Sequence, residues 1–71
     1  MKEISIRDEY IKLEQVLKLS GEFQMGSDAK YAIKNGEVSV NGQVEYQRGK
    51  KLRENDTFTH DGHDYKIVGA K

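Results

Sequence analysis

The sequence predicts an α+β fold in which two short packed helices lie against a small, mostly antiparallel β-sheet with tight hairpins. Three features of the 71 residues support this prediction. Apolar residues recur at helical spacing in two segments, apolar and polar residues alternate in several short runs, and Asn-Gly or Asp-Gly pairs stand at the ends of those runs. We expect one domain over residues 1–71, with its core motif at about residues 12–68.

The first helix is predicted by Leu13, Val16 and Leu17, which fall at positions i, i+3 and i+4 and therefore share one face. It should end near Leu19, because Gly21 follows and glycine readily adopts the left-handed conformation that closes a helix.

A second helix is predicted from about Asp28 to Lys34, with Ser27 as an N-cap whose hydroxyl accepts a hydrogen bond from a free backbone N–H. The buried face of this helix would consist of Ala29, Ala32 and Ile33. The opposite face would carry Ser27, Lys30, Tyr31 and Lys34, at positions i, i+3, i+4 and i+7. This polar stripe, with two cations and one aromatic ring, is a candidate binding surface, although a solvated helix face has the same pattern.

Two Asn-Gly pairs flank the strand predicted at residues 38–40, and we expect them to act differently. Asn35-Gly36 follows the second helix, so its glycine should end that helix in a left-handed cap. Asn41-Gly42 follows the strand directly and predicts a type I′ hairpin, because this turn requires positive φ at both central residues. Val44 and Tyr46 are then expected to continue the alternation on the return strand.

Three further strands complete the predicted sheet. One lies around residues 4–6, one begins at Phe58, and the last contains Tyr65 and Ile67. Asp61-Gly62 is the predicted hairpin turn between the last two strands.

Charge is distributed unevenly along the chain, although 12 basic and 12 acidic residues give a formal net charge of zero. Residues 30–53 include six basic and two acidic side chains, a net +4, and the remainder includes six basic and ten acidic side chains, a net −4. Four of the cations lie in the loop from Arg48 to Arg53, which Leu52 is expected to anchor to the core. Such a local cationic surface suits phosphate binding, although a solvated loop can have the same composition.

The composition excludes several classes of protein. Without cysteine, the chain can form no disulfide and no thiolate metal site, which fits the reducing cytoplasm. It has no apolar run long enough to cross a bilayer and no signal-peptide core, so we expect no membrane partner. No paired carboxylates, Ser/His/Asp set or glycine-rich phosphate loop stands out, so we expect no catalytic residues and no cofactor.

His60 and His63 flank the Asp61-Gly62 turn and would be cross-strand neighbours. Two histidines without further ligands are a weak metal signal, so we expect no metal site here. A small enzyme or metal protein that uses this hairpin is the least favoured interpretation.

These residues resemble the S-four RNA-binding domain, which is built on the αL motif and named for a small-subunit ribosomal protein, and in particular its small stand-alone bacterial versions of YaaA and YbcJ type. The resemblance runs from about Lys12 to Val68. It rests on Leu13-Glu-Gln-Val-Leu-Lys18, Ala29-Lys30 with Ile33, Gly36-x-Val-x-Val-Asn-Gly42, and Gly49-x-x-Leu52 with Asp56. The chain departs from the family at Met25-Gly26, where many members have Ser-Arg.

The resemblance implies a non-enzymatic protein that binds structured RNA of the ribosomal or transfer RNA class, with ribosomal RNA or the ribosome among the expected partners. We separately expect a monomer. The implied contact surface is the second helix with the hairpin and loop that follow. Its residues would be Lys12, Lys30, Tyr31, Lys34, Asn41, Arg48, Lys50, Lys51 and Arg53. The main alternative is a protein-interaction module that keeps the fold and has lost RNA binding.

Overall fold

Two helices, a five-stranded mixed sheet and a two-stranded sheet make up residues 1–69, the part of the chain that the computed structural model describes. In chain order the elements are β1 (Lys2–Ile6), β2 (Ile11–Lys12), α1 (Leu13–Leu19), α2 (Gly26–Lys34), β3 (Val38–Val40), β4 (Gln43–Val44), β5 (Lys51–Leu52), β6 (Thr57–His60) and β7 (His63–Gly69). The large sheet has the order β1-β7-β6-β3-β4, and β2 pairs with β5. Only β1 and β7 pair in parallel in this part of the chain, so the predicted α+β class with a mostly antiparallel sheet is confirmed.

Apolar side chains from both helices and from five strands form one buried cluster. It consists of Ile6, Leu13, Val16, Leu17, Ala29, Ala32, Ile33, Val38, Val40, Leu52, Phe58, Tyr65 and Ile67. Full burial of a leucine or valine side chain contributes about 1.5–3 kcal/mol, so this cluster is the main source of stability. The helical spacing and strand alternation in the sequence predicted these positions correctly, including Leu52 as the anchor of the basic loop.

The basic loop supplies hydrogen-bond acceptors to the start of α1. The backbone N–H of Leu13 donates to the carbonyl oxygen of Lys50 at 2.8 Å, and that of Glu14 donates to the carbonyl oxygen of Arg48 at 3.1 Å. The first N–H groups of a helix have no acceptor within the helix, so these bonds satisfy groups that would otherwise need water. They also tie residues 48–50 to the first turn of α1.

The second helix begins earlier than predicted, and Ser27 is not its N-cap. The helix starts at Gly26, and Met25 is the N-cap residue. The carbonyl oxygen of Met25 accepts hydrogen bonds from the backbone N–H groups of Asp28 at 3.1 Å and Ala29 at 3.4 Å. The prediction was wrong because it required a side-chain cap, whereas the first turn is closed through the backbone.

The predicted left-handed end of α2 is confirmed. Gly36 has φ +76°, its N–H donates to the carbonyl oxygen of Ile33 at 3.1 Å, and the N–H of Glu37 donates to that of Ala32 at 3.0 Å. These two bonds form a Schellman motif, which turns the chain sharply from the helix into β3.

The Asn41-Gly42 hairpin is confirmed, but its return strand is shorter than predicted. Asn41 and Gly42 have φ +50° and +85°, as a type I′ turn requires. The strand β4 ends at Val44, which is half-exposed, and Tyr46 lies beyond the strand with 65% of its surface exposed. Tyr46 therefore does not continue the alternation, because the chain leaves the sheet before reaching it.

The connection between the helices is anchored to the β6–β7 hairpin by Glu22. Its carboxylate, only 12% exposed, accepts hydrogen bonds from Nδ1 of His60 at 2.7 Å, from Nδ1 of His63 at 3.2 Å and from the hydroxyl of Tyr65. Burial raises the pKa of Glu22, but the bonds from the two histidines and the tyrosine outweigh it and lower that pKa to about 2. The hydrogen bond to Glu22 raises the pKa of Tyr65.

The two histidines therefore have a structural partner that the sequence did not reveal. They are cross-strand neighbours, as predicted, and both donate to Glu22. Among residues 1–69, no group of three His, Asp or Glu side chains is arranged to hold a metal ion.

We predict that Glu22→Gln lowers the free energy of unfolding at pH 7 by about 1–3 kcal/mol, because the variant lacks the stabilised carboxylate. The folded-state pKa of about 2 lies below the ordinary value of 4.5. The contribution is therefore fully present above pH 4.5 and is lost as the pH falls toward 2. Urea unfolding at several pH values should show the gap between wild type and variant narrowing over this range.

Glu9→Gln is the matched control, because it removes the same charge from an exposed residue. A gap that stays constant down to about pH 2, or a control as unstable as Glu22→Gln, would contradict the assignment.

Candidate nucleic-acid interface

The polar stripe of α2 forms one wall of a shallow cleft of about 580 Å³. This wall carries Ser27, Lys30, Tyr31 and Lys34, all exposed, on the face that the helical spacing predicted. The opposite wall is the segment from Tyr46 to Gly49. The fold thus brings Arg48 of the basic loop to the same cleft as the two lysines of α2.

Arg48 is held loosely against the first turn of α1. Its Nε lies 3.9 Å from Oε2 of Glu14, and the arginine side chain is 66% exposed. Within residues 1–69, Oε2 of Glu14 is buried without a hydrogen-bond partner, so this long contact with the exposed Arg48 side chain is the nearest compensation for its charge. Glu14 is 26% exposed and stands beside this guanidinium rather than in the cleft lining.

A second group of cations surrounds Tyr10 on the two-stranded sheet. Lys12 pairs directly with Lys51, and both side chains are exposed on the face opposite buried Leu52. Nζ of Lys51 lies 4.7 Å from the centroid of the Tyr10 ring, and Cζ of Arg53 lies 5.7 Å from it. We call Tyr10, Lys12, Lys51 and Arg53 the Tyr10 patch. Cation–π contacts of this kind contribute about 0.5–1 kcal/mol at exposed sites and restrict where the charged groups lie.

Lys50 connects the cleft to the Tyr10 patch. Its side chain is exposed, and its N–H donates to the carbonyl oxygen of Gln47 at 3.1 Å in the turn that leads from Arg48 to β5. The backbone hydrogen bonds from Leu13 and Glu14 to residues 48–50 place this loop beside the N-terminus of α1, which directly follows Lys12. We call the cleft cations, Lys50 and the Tyr10 patch together the basic surface.

Asn41 differs from the other predicted contact residues because its amide is engaged within the protein. Its Oδ1 accepts from the backbone N–H of Thr57 at 2.9 Å, and its Nδ2 donates to Oδ1 of Asp56 at 3.2 Å. Oδ2 of Asp56 in turn accepts from the N–H of Arg53 at 2.7 Å. Asn41 thus holds the β3–β4 hairpin against the turn that follows Arg53, and its contact with RNA stays a prediction.

Sequence reasoning did not select Tyr10 or Tyr46 as members of the site. Tyr10 directly precedes β2, a strand that the sequence analysis did not predict, so no sequence pattern pointed to its contact with Lys51 and Arg53. Tyr46 has no signal in the sequence either, because its spacing from Val44 suggests a core-facing strand position.

Comparisons with known proteins agree with the fold. Residues 4–68 match the family model of the S4 domain. The chain is 36% identical over 59 residues to the "Putative RNA-binding protein YbcJ" of Escherichia coli strain K12, covering 83% of this chain and 84% of that protein. It is 41% identical over 59 residues to the "Probable ribosome maturation protein RlbA" of Bacillus subtilis strain 168, covering 83% of each.

Two solved structures are similar to this one. The solution structure of Escherichia coli YbcJ, reported to reveal an αL motif involved in RNA-binding, has a TM-score of 0.74 at 33% identity, covering 96% of this chain and 87% of that chain. The crystal structure of the 30S ribosomal protein S4e from Thermoplasma acidophilum has a TM-score of 0.64 at 22% identity, covering 84% of this chain and 32% of that chain. The second likeness concerns the fold alone.

No helix among residues 1–69 has the length and apolar character needed to span a membrane.

We predict that Asn41→Gly lowers the free energy of unfolding by about 1 kcal/mol, because it removes the side-chain hydrogen bonds while glycine keeps the positive φ of the turn. Asp61→Gly is the matched control at the same position of the β6–β7 hairpin, where φ is +51°. Thermal or urea unfolding of both variants measures the difference. Equal stability of the two variants would show that the Asn41 bonds contribute nothing beyond turn geometry.

Proposed function

We propose that this chain, which belongs to the S4 domain family, is a non-enzymatic protein that binds structured RNA of the ribosomal or transfer RNA class. It would bind through the basic surface, which spans the exposed face of α2, the loop that follows the β3–β4 hairpin and the Tyr10 patch. The observation that carries the proposal is the cleft in which Lys30 and Lys34 of α2 meet Arg48 of the loop.

The shape of folded RNA limits the groups through which a protein can bind it. The deep major groove of A-form RNA excludes side chains, so proteins recognise folded RNA mainly through phosphates, 2′-hydroxyls and shape. A surface that holds several cations at fixed positions suits this task. The α2 lysines are fixed by the packing of Ala29, Ala32 and Ile33, and the loop is fixed by its backbone bonds to α1.

The Tyr10 patch would extend the contact along the same loop. Lys51 and Arg53 each contact the Tyr10 ring, so less conformational freedom is lost when they bind phosphates. Lys12 and Lys50 add two further cations, and Asn41 would contribute by holding the turn at Arg53 in place.

The names of the relatives support an RNA partner. One is named a putative RNA-binding protein, and another is named a probable ribosome maturation protein, which favours ribosomal RNA or the ribosome as the target. We propose that the protein acts in the cytoplasm as a monomer, as one module over residues 1–71.

We predict that the triple variant Lys30→Gln, Lys34→Gln, Arg48→Gln binds a folded ribosomal RNA fragment at least about tenfold more weakly than wild type. The plot of log affinity against log salt concentration should also become less steep, with its slope smaller in magnitude by about 2–3. Each phosphate contact contributes roughly 0.7–0.9 to that magnitude, and the variant lacks three such contacts. Fluorescence anisotropy at several salt concentrations measures both quantities.

The matched control is Lys2→Gln, Arg7→Gln, Lys18→Gln, which removes the same charges from exposed positions outside the basic surface. It should retain wild-type affinity within a few-fold. Equal losses in both triple variants would contradict a localised surface. If wild type bound no RNA even at low salt, the protein-interaction alternative would be favoured, and a nuclease-treated pull-down would test it.

A further inference from the structure

Two exposed tyrosines stand at the cleft between α2 and the loop. Tyr31 on α2 is 69% exposed, Tyr46 on the segment after β4 is 65% exposed, and both line the cleft. Single exposed aromatic residues are common on proteins. Two of them that line one basic cleft can offer stacking surfaces to a flat aromatic ligand.

Tyr46 is held in place by the end of α2. A Cβ atom at Gly36 would lie only 3.3 Å from both Cε1 and the hydroxyl oxygen of Tyr46, so the ring packs on the glycine backbone. Gly36 itself is fixed with φ +76° by the two hydrogen bonds that close the helix. The ring is therefore positioned before any ligand binds, which lowers the entropy lost on binding.

The charges around these rings select an anion. Lys30, Lys34 and Arg48 line the cleft, and no acidic residue is found among its lining within residues 1–69. The cleft volume of about 580 Å³ falls within the range of about 300–1,000 Å³ that is typical of small-ligand sites. A ligand with one aromatic plane and one or two phosphates matches both features, and a nucleotide has this chemistry.

Base-paired RNA does not offer such a ligand, because its bases are stacked inside the duplex and their flat faces are covered. An unpaired nucleotide in a bulge or loop exposes a face that can stack on an aromatic side chain. It also remains flanked by the phosphates of the neighbouring helix, which the remaining cations of the basic surface can contact.

We infer that the cleft binds one unpaired nucleotide of a structured RNA, with its base stacked on Tyr46 and Tyr31 and its phosphates against Lys30, Lys34 and Arg48. This inference rests on the proposed function and adds to it the feature of the RNA that is recognised. The protein would then prefer helices that carry a bulged or looped nucleotide over continuous duplexes.

The test compares two RNA hairpins that differ in one base. One carries a single bulged adenine, and the other carries an abasic residue at the same position, so that both have the same number of phosphates. Wild type should bind the bulged hairpin at least roughly tenfold more tightly than the abasic one, because stacking of one base on an aromatic side chain raises affinity by about this factor. The fluorescence of 2-aminopurine at the bulge should be quenched on binding.

Tyr46→Ala should bring the bulged hairpin to the affinity of the abasic one while leaving abasic binding and its salt dependence unchanged. Tyr46→Phe should retain the preference, because the ring is kept. Tyr31→Ala is the second test variant on the facing wall. Circular dichroism controls for folding, which we expect to be intact because both rings are mostly exposed.

Equal binding of both hairpins by wild type, or a preference that survives in Tyr46→Ala and Tyr31→Ala, would overturn the inference while the proposed function stood. Failure of wild type to bind either hairpin would overturn the proposed function and the inference together. Competition with free adenosine monophosphate distinguishes a site for a nucleotide within RNA from a site for a free nucleotide. Competition at concentrations near those of the bulged hairpin would show a free-nucleotide site and overturn the RNA assignment.

Discussion

The basic surface depends on the backbone hydrogen bonds between the loop at residues 48–50 and the start of α1. They satisfy the N–H groups of Leu13 and Glu14, which have no acceptor within the helix, and together with buried Leu52 they tie the loop to the rest of the fold. Because the bonds use carbonyl oxygens, the side chains of Arg48 and Lys50 take no part in them. The loop is therefore ordered and yet presents its cations to solvent, and it carries the chain directly into β5 and the Tyr10 patch.

Helix α2 is positioned by constraints at both of its ends. At the C-terminal end of α2, the Schellman hydrogen bonds around Gly36 turn the chain into β3. They also fix the glycine backbone on which Tyr46 packs. Before its start, the connection from α1 is anchored by Glu22 to the β6–β7 hairpin, where two histidines and Tyr65 donate to one carboxylate. A helix held at both ends fixes the backbone positions from which Lys30 and Lys34 extend into the cleft.

A net charge of zero does not argue against this kind of partner. The field that a phosphate meets near the protein depends on charges within about one Debye length, roughly 8–10 Å at moderate salt, and not on the sum over the chain. The acidic excess lies in the sequence outside residues 30–53, and none of the described residues that line the cleft is acidic. The fold gathers Lys30, Lys34 and Arg48 in one cleft, so the local charge there differs from the zero sum over the chain.

The sequence by itself determined the elements whose cause is local. Helical spacing identified both helices and their buried faces. The Asn-Gly and Asp-Gly pairs identified the turns and the end of α2, because the preference for positive φ is a property of single residues. Only the tertiary structure decided the early end of β4, the partners of His60 and His63, and the presence of Tyr31 and Tyr46 in one cleft. These depend on hydrogen bonds and packing between residues that are distant in the chain, and such contacts leave no pattern in neighbouring residues. The start of α2 was missed for another reason: it is closed by local backbone bonds to Met25, which carries no side-chain capping signal.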